Sequence, residues 1–338
     1  MKKKCSVGGQ AVIEGVMMRG SSGVATAVRK TNGEIEVEFE KNIPLAKRNK
    51  FFSLPIIRGF ITLIDSLILG IKTLNYSASF FEEENEEEEL SKLDKWMESV
   101  FKDKTNDVIM GFSFLLSLMF SILLFFILPT FLASGLKKLN IQNNLVLNIF
   151  EGIIRVSIFL IYIYLIGKME DINRVFQYHG AEHKTIFCYE QDEELIPENA
   201  QKQGRLHPRC GTNFLFLVMI VSIVLFSLTP WNSIIERIGY RIVLLPVVSG
   251  ITYELIKWLG KSQGMLSRIL AYPGLRLQKL TTKEPDLNQL EVAIVSLKVA
   301  EGIETVESIK EKINNKETVK KAVEEMKKEE TEVKETKF

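Results

Sequence analysis

The sequence predicts a mainly α, polytopic helical membrane protein with four spanning helices, a small N-terminal cytoplasmic β unit and an interfacial helix. Three observations predict it. Apolar residues are bunched into four runs of near-span length. Basic residues gather at one end of those runs. An Asn-Gly pair between two alternating segments opens the chain.

The β unit is expected within 1–50. Segments 25–30 and 34–38 flank Thr31, Asn32 and Gly33, a strong hairpin signal. Before it, at 8–20, comes Gly-Gly-Gln-Ala-Val-Ile-Glu-Gly-Val-Met-Met-Arg-Gly. Its glycines suit tight turns and close backbone approach, and Glu14 and Arg19 are its only charges. It matches neither a Walker loop nor a Rossmann fingerprint, and by itself reads as a glycine-shaped strand and turn. The Lys-rich start leads into Gly8 and Gly9 rather than an apolar stretch, so no signal peptide is expected.

Residues 51–80 read as an amphipathic helix. Arg58, Asp65 and Lys72 recur every seven residues, which lays a charged stripe on one face. An in-plane interfacial helix fits this stripe. A fifth span is the rival, and it would put the N-terminus on the opposite side from the histidines. Residues 81–105 form an acidic linker, with a Glu run at 82–89 that lacks EF-hand spacing.

The membrane domain occupies 106–260. Its expected spans are 109–132, 145–166, 213–231 and 242–259, each close to the ~20 residues a crossing needs. Lys168, Arg174, Lys184, Lys202, Arg205 and Arg209 lie between the second and third spans, and Lys261, Arg268, Arg276 and Lys279 follow the fourth. The other side has only Lys137, Lys138, Arg237 and Arg241. The first side is therefore read as cytoplasmic, with both termini and the loop 168–212 on it, in a multi-pass cell-membrane protein. Residues 261–300 form a C-terminal cytoplasmic segment, where Asp286 can cap a helix with Gln289 three residues on. Residues 301–338 are a charged tail without a core of its own.

A net charge of +1 excludes a globally basic nucleic-acid binder. Three cysteines, Cys5, Cys188 and Cys210, imply no disulfide framework and fit a reducing compartment. The chain has three histidines, all in one loop: His179-Gly-Ala-Glu182-His183, then His207-Pro-Arg-Cys210. If a helix continues over 171–189, His179 and His183 share a face one turn apart, a two-ligand clamp. His207 and Cys210 supply a second pair, giving four nitrogen and sulfur donors suited to zinc. A closed set would be structural. The stretch also fits the H-x-x-E-H pattern of inverted zincins, in which Glu182 would be the general base on a metal-activated water. Cys188 reads as a buried small residue. Within the spans, Glu151 and Arg155 are four apart and read as a pair. Glu254 could reach the histidine loop, or pair with Lys257 or Arg209. A transporter reading finds little support, since the first and third runs carry almost nothing polar.

Four stretches in order resemble the YqhQ-like family of bacterial integral membrane proteins, which carry a domain of unknown function. They are the glycine motif at 8–20, His-Gly-Ala-Glu-His-Lys-Thr-Ile at 179–186, His-Pro-Arg-Cys-Gly-Thr at 207–212 and Leu-Thr-Thr-Lys-Glu-Pro at 280–285. The resemblance covers about 5–297 and implies a metal-dependent enzyme with no named substrate. It marks Glu14, Arg19, His179, Glu182, His183, His207 and Cys210 as motif positions. Ser21 and Asn213 stand where proline and serine are common in the family. Two functions fit these residues. One is a zinc-dependent hydrolase at the cytoplasmic face: His179, His183 and His207 or Cys210 hold the metal, Glu182 is the base and Arg19 orients a lipid phosphate or peptide carboxylate, with Glu14 beside it in the catalytic motif. The other is a non-enzymatic membrane scaffold or regulator with a structural zinc site.

Overall fold

The computed structural model describes residues 7–41, 44–81, 105–138, 143–230, 233–260, 262 and 264–312. The expectations for Cys5, for the acidic run at 82–89 and for the tail from 313 lie outside the described residues. The strands are β1 (Gly8–Val12), β2 (Gly15–Arg19), β3 (Val24–Arg29) and β4 (Ile35–Glu40). The first helices are α1 (Leu45–Arg48), α2 (Ile57–Ala78), α3 (Thr105–Ile122), α4 (Leu128–Lys138) and α5 (Asn144–Ile166). Then come α6 (Glu170–Glu190), α7 (Pro197–Gln201), α8 (Gly211–Ser227), α9 (Ile234–Leu259), α10 (Met265–Thr281) and α11 (Leu287–Glu301).

The four strands form one antiparallel meander in sequence order. Gly33 takes φ +90 at the expected hairpin, where a side chain would be strained. Side-chain alternation divides the sheet into two faces. Val16, Met18, Ala25, Ala27, Ile35 and Val37 face a core shared with α6 and α11. Met17 and Val24 face α2 through Leu69. Helix α11 starts where expected: Asp286 accepts from the Gln289 backbone, and the Gln289 side chain returns the bond. Its buried side includes Leu290, Val292, Ala293 and Leu297, and Ser296 donates to Ala25 O at 2.9 Å. The N-terminal sheet and the C-terminal helix thus share one core, with α6 packed on both.

The charged stripe of α2 is used differently from the expectation. Arg58 pairs with Glu254 of α9. Asp65 accepts from Arg19 of β2 at 3.2 Å, and Lys72 pairs with Glu40 of β4 at 2.5 Å. The stripe is matched charge by charge by the sheet and by α9, because α2 crosses α9 where Gly59 and Gly250 leave no room for side chains. Glu254 therefore does not reach the histidine loop. The apolar side of α2 remains exposed through Leu67, Ile68, Ile71 and Leu74.

Among the described residues, three helical stretches are long and apolar enough to cross a membrane: Gly111–Leu136, Asn144–Ile166 and Ile235–Leu259. By length and composition they suggest a membrane protein. The first joins α3 and α4 through a π-helical turn at Leu123–Ile127, just before Pro129. Pro129 has no N–H to offer the Phe125 carbonyl, and Arg155 of α5 donates to that oxygen at 3.2 Å instead. The remaining expected span, α8, has 17 residues, roughly 25 Å of helix against ~30 Å of hydrocarbon. It stops at Ser227 because Pro230 disfavours helical geometry at Thr229.

Candidate metal centre

Helix α6 continues over the histidine motif, and the 3.6-residue period stacks His179 and His183 with ring centroids 4.5 Å apart. Each ring is oriented by a carbonyl. His179 Nδ1 lies 2.8 Å from Thr281 O, and His183 Nδ1 lies 2.5 Å from Arg205 O. A carbonyl only accepts, so each Nδ1 carries the proton and each Nε2 is left with its lone pair. A carbonyl accepting from Nδ1 fixes the ring and makes Nε2 a better donor to a metal. Among the described residues His183 Nε2 is buried without a hydrogen-bond partner, and burial, opposed by the nearby Cys210, holds the ring below the usual imidazole range, in its neutral, ligating form.

Cys210 completes the group. Its Sγ lies 3.1 Å from His179 Nε2, and one ligand atom each from His179, His183 and Cys210 all fall within 4.8 Å of one another. Cys210 is the N-cap of α8 and accepts from Thr212 N at 3.4 Å, so a helix N-terminus faces the sulfur. Two imidazoles and a thiol are a donor set that zinc accepts.

His207 lies close by but is turned away. Its ring is 5.7 Å from that of His183, its Nδ1 accepts from Arg209 N, and its Nε2 faces Glu190 at 3.6 Å. The cause is Gln278 of α10, fully buried, which clamps the His207 backbone by accepting from its N–H and donating to its C=O, both at 2.8 Å. Burial pulls the His207 pKa down to about 4. The four-donor set expected from the sequence is thus brought together as three donors, with His207 in the layer behind.

Glu182 is buried beside this cluster. Burial pushes its carboxyl above the usual carboxylate range, opposed by His179, His207 and the Gly9 backbone. Gly9 of β1 lies against it: a Cβ there would crowd Met17 O and the Glu182 carboxyl carbon. That close approach accounts for a glycine in the N-terminal motif. Gly180 does the same on the other side, because a Cβ there would fall on the Lys283 carbonyl oxygen. The segment it admits bonds back to α6 through Lys283 N and Phe176 O at 2.8 Å and supplies the Thr281 oxygen to His179.

A family model for a protein of unknown function, DUF1385, matches residues 54–302. This chain belongs to the DUF1385 family. The "Uncharacterized protein YqhQ" of Bacillus subtilis (strain 168) is 37% identical over 290 residues, covering 86% of this chain and 90% of that protein. No solved structure matches.

In this DUF1385 member the other candidate residues are engaged elsewhere. Glu14, at φ 47 in the β1–β2 turn, forms a two-pronged ion pair with Arg174 and accepts from Tyr178 at 3.2 Å. Arg19 points to the α2 face of the sheet, opposite the face of Met18 that meets Glu182, and its guanidinium binds Asp65. Alternation along β2 prevents Arg19 from orienting an anion at the histidines. Cys188 is buried in the core, its thiol pushed up to about 11 by burial. Sequence reasoning missed Gln278, Thr281 and the buried Lys184, which donates to Gln201 O and Gln203 O at 2.8 Å and pairs with Glu284. The motif at 280–285 carried that signal: it supplies both the Thr281 carbonyl and Glu284.

Proposed function

We propose that this chain is a metal-dependent, zinc-preferring hydrolase-like protein of the bacterial cell membrane, with the histidine loop and both termini on the cytoplasmic side. The observation that carries the reading is the convergence of His179, His183 and Cys210 on one point. Three protein donors rather than four is the pattern of sites that keep a position open for water. His179 and Cys210 are only partly buried, which gives that position access from solvent. Zinc held there would supply a Lewis acid that activates water. Glu182, buried and one turn from His179, would take up and return a proton, its raised pKa suiting that task. The substrate is proposed to be a lipid or peptide at the bilayer surface. Cys210 begins α8, whose apolar length is proposed as the fourth span, so the site lies at the end of a membrane helix. In this arrangement the exposed apolar side of α2 lies along the bilayer.

A non-enzymatic scaffold with a structural zinc site is the second reading. The nearness of His207 favours it, since a rotated ring would add a fourth donor.

Zinc analysis of protein purified in mild detergent tests both. About one zinc per chain is expected, lost in His183→Ala and retained in Glu182→Gln. For the hydrolase, Glu182→Gln abolishes the cellular role and His207→Ala keeps the metal. Retention of that role in Glu182→Gln, with zinc lost in His207→Ala, would establish the scaffold instead. Protein without bound zinc under metal-replete expression would sink both readings.

A further inference from the structure

At the ends of the spans remote from the histidines lies a second charged cluster. Glu151 of α5 is nearly inaccessible, at 1% exposure. It pairs with Arg155 of its own helix at 2.7 Å and with Arg237 and Arg241 of α9. Thr130 of α4 donates to the same carboxylate at 2.9 Å. The rings of Phe126 and Phe226 lie within about 6 Å of the Arg155 and Arg241 guanidiniums and screen them from water. Glu151 and Arg241 each sit about 10 Å along the axis from the start of their helix, and Thr130 about 12 Å from the end of α4, all inside the apolar stretches.

Three guanidiniums on one carboxylate leave a surplus of two positive charges. The surplus is not cancelled nearby in sequence. Residues 126–155 and 226–245 contain five basic side chains and two acidic ones, and the second acid, Glu236, is exposed. All three arginines already contact Glu151; what is left unmatched is charge, not a donor. Buried charge of one sign is costly unless something of the opposite sign completes it.

We propose that this cluster binds a phosphate group. Guanidinium forks match the oxygens of a tetrahedral oxyanion in paired hydrogen bonds. A phosphate carries one or two negative charges, which meets the surplus. Its two sources are the headgroup of an anionic lipid in the adjoining leaflet and free phosphate entering from the water on that side. The proposal is independent of the zinc site, and a zinc-free protein leaves it standing.

The test uses the full chain in mild detergent. Tightly bound phosphorus is measured per chain, and the delipidated protein is then melted with phosphatidylglycerol, with inorganic phosphate, and with an uncharged glycolipid as control. Retained phosphorus is expected, together with a higher melting temperature in phosphatidylglycerol, in inorganic phosphate, or in both. A response to phosphatidylglycerol alone assigns the lipid source, and a response to inorganic phosphate assigns the soluble one. Arg241→Gln and Arg237→Gln should weaken the response about tenfold, 1.4 kcal/mol. If these variants fail to fold, the wild-type comparison decides alone. No retained phosphorus with no shift, or a shift no larger than the glycolipid gives, overturns the proposal.

Discussion

Gly180→Ala sets two effects of opposite sign against each other. Gly180 lies inside α6, where helix propensity alone makes alanine better by about 1 kcal/mol. Against that, the new methyl would fall on the Lys283 carbonyl oxygen, far inside van der Waals contact, with Pro285 Cδ at 3.4 Å behind it. The obstacle is backbone, so it moves only if the 281–285 segment lifts off α6. That lift costs the bond from Lys283 N to Phe176 O and draws Thr281 O away from His179. Two hydrogen bonds at about 1 kcal/mol each, with overpacking of about 1–3 kcal/mol, outweigh the propensity gain. The net expectation is about 2–4 kcal/mol of destabilisation, with weaker zinc retention because His179 loses its orienting carbonyl. Thermal unfolding in mild detergent with parallel zinc analysis reads both. Gly239→Ala, inside α9 with open space around its Cβ, is the control and should be neutral or stabilising. A Gly180→Ala protein as stable as the parent, with full zinc, would refute the reasoning.

Three further outcomes follow from the same geometry. Gln278→Leu removes both bonds to the His207 backbone and leaves a buried N–H and C=O unpaired, which should cost about 3 kcal/mol or more; faster hydrogen exchange across 205–212 checks it, and unchanged exchange would contradict the clamp. His207 titrates near 4 when folded against about 6.5 unfolded, so the unfolded chain binds the proton more readily; stability is full above about pH 6.5, falls as pH drops and levels off below about 4, a loss of about 3 kcal/mol that melts of zinc-free protein at pH 7 and pH 4.5 should register as a lower midpoint in acid. Asp286→Ala removes the cap of α11 and half of its capping box, costing about 1 kcal/mol; a melting temperature unchanged from the parent would mean the cap is replaced by water.

What could be read in the sequence was local, and what could not was distant. The hairpin at Gly33, the stacking of His179 on His183 and the Asp286 cap each depend on residues within one turn of one another. The Glu151–Arg155 pair was readable for the same reason, and the burial of Cys188 was readable from its residue type. The role of Glu254 was not, because its partner Arg58 lies 196 residues away and only the packing of α2 on α9 brings them together. The ring of His207 could not be placed either, since Gln278, 71 residues on, fixes its backbone. Spacing shows which donors can reach one point. It does not show which backbone carbonyls or amides will orient them.

The glycines explain how distant motifs come to serve one site. Gly9, Gly180 and Gly274 are each positions where a Cβ would collide, with Met17 O and Glu182, with Lys283 O, and with Asn213 respectively. Each therefore marks a close approach between two stretches distant in sequence: strand β1 onto α6, the end of α10 onto α6, and the body of α10 onto the start of α8. Asn213 in turn donates to Pro208 O at 2.5 Å, which shapes the turn that presents Cys210. Cys210 and Gln278 sit on helices continuous with or adjacent to the apolar segments, whereas the buried Glu182 belongs to α6, which packs under the sheet. The donors come from α6, which packs in the sheet core, and from the N-cap of α8, so they converge only when the apolar helices are docked on α6. A metal held there would clamp the two layers to each other, so its loss should loosen the 205–212 turn and the α10–α8 contact before it disturbs the hairpin or α11.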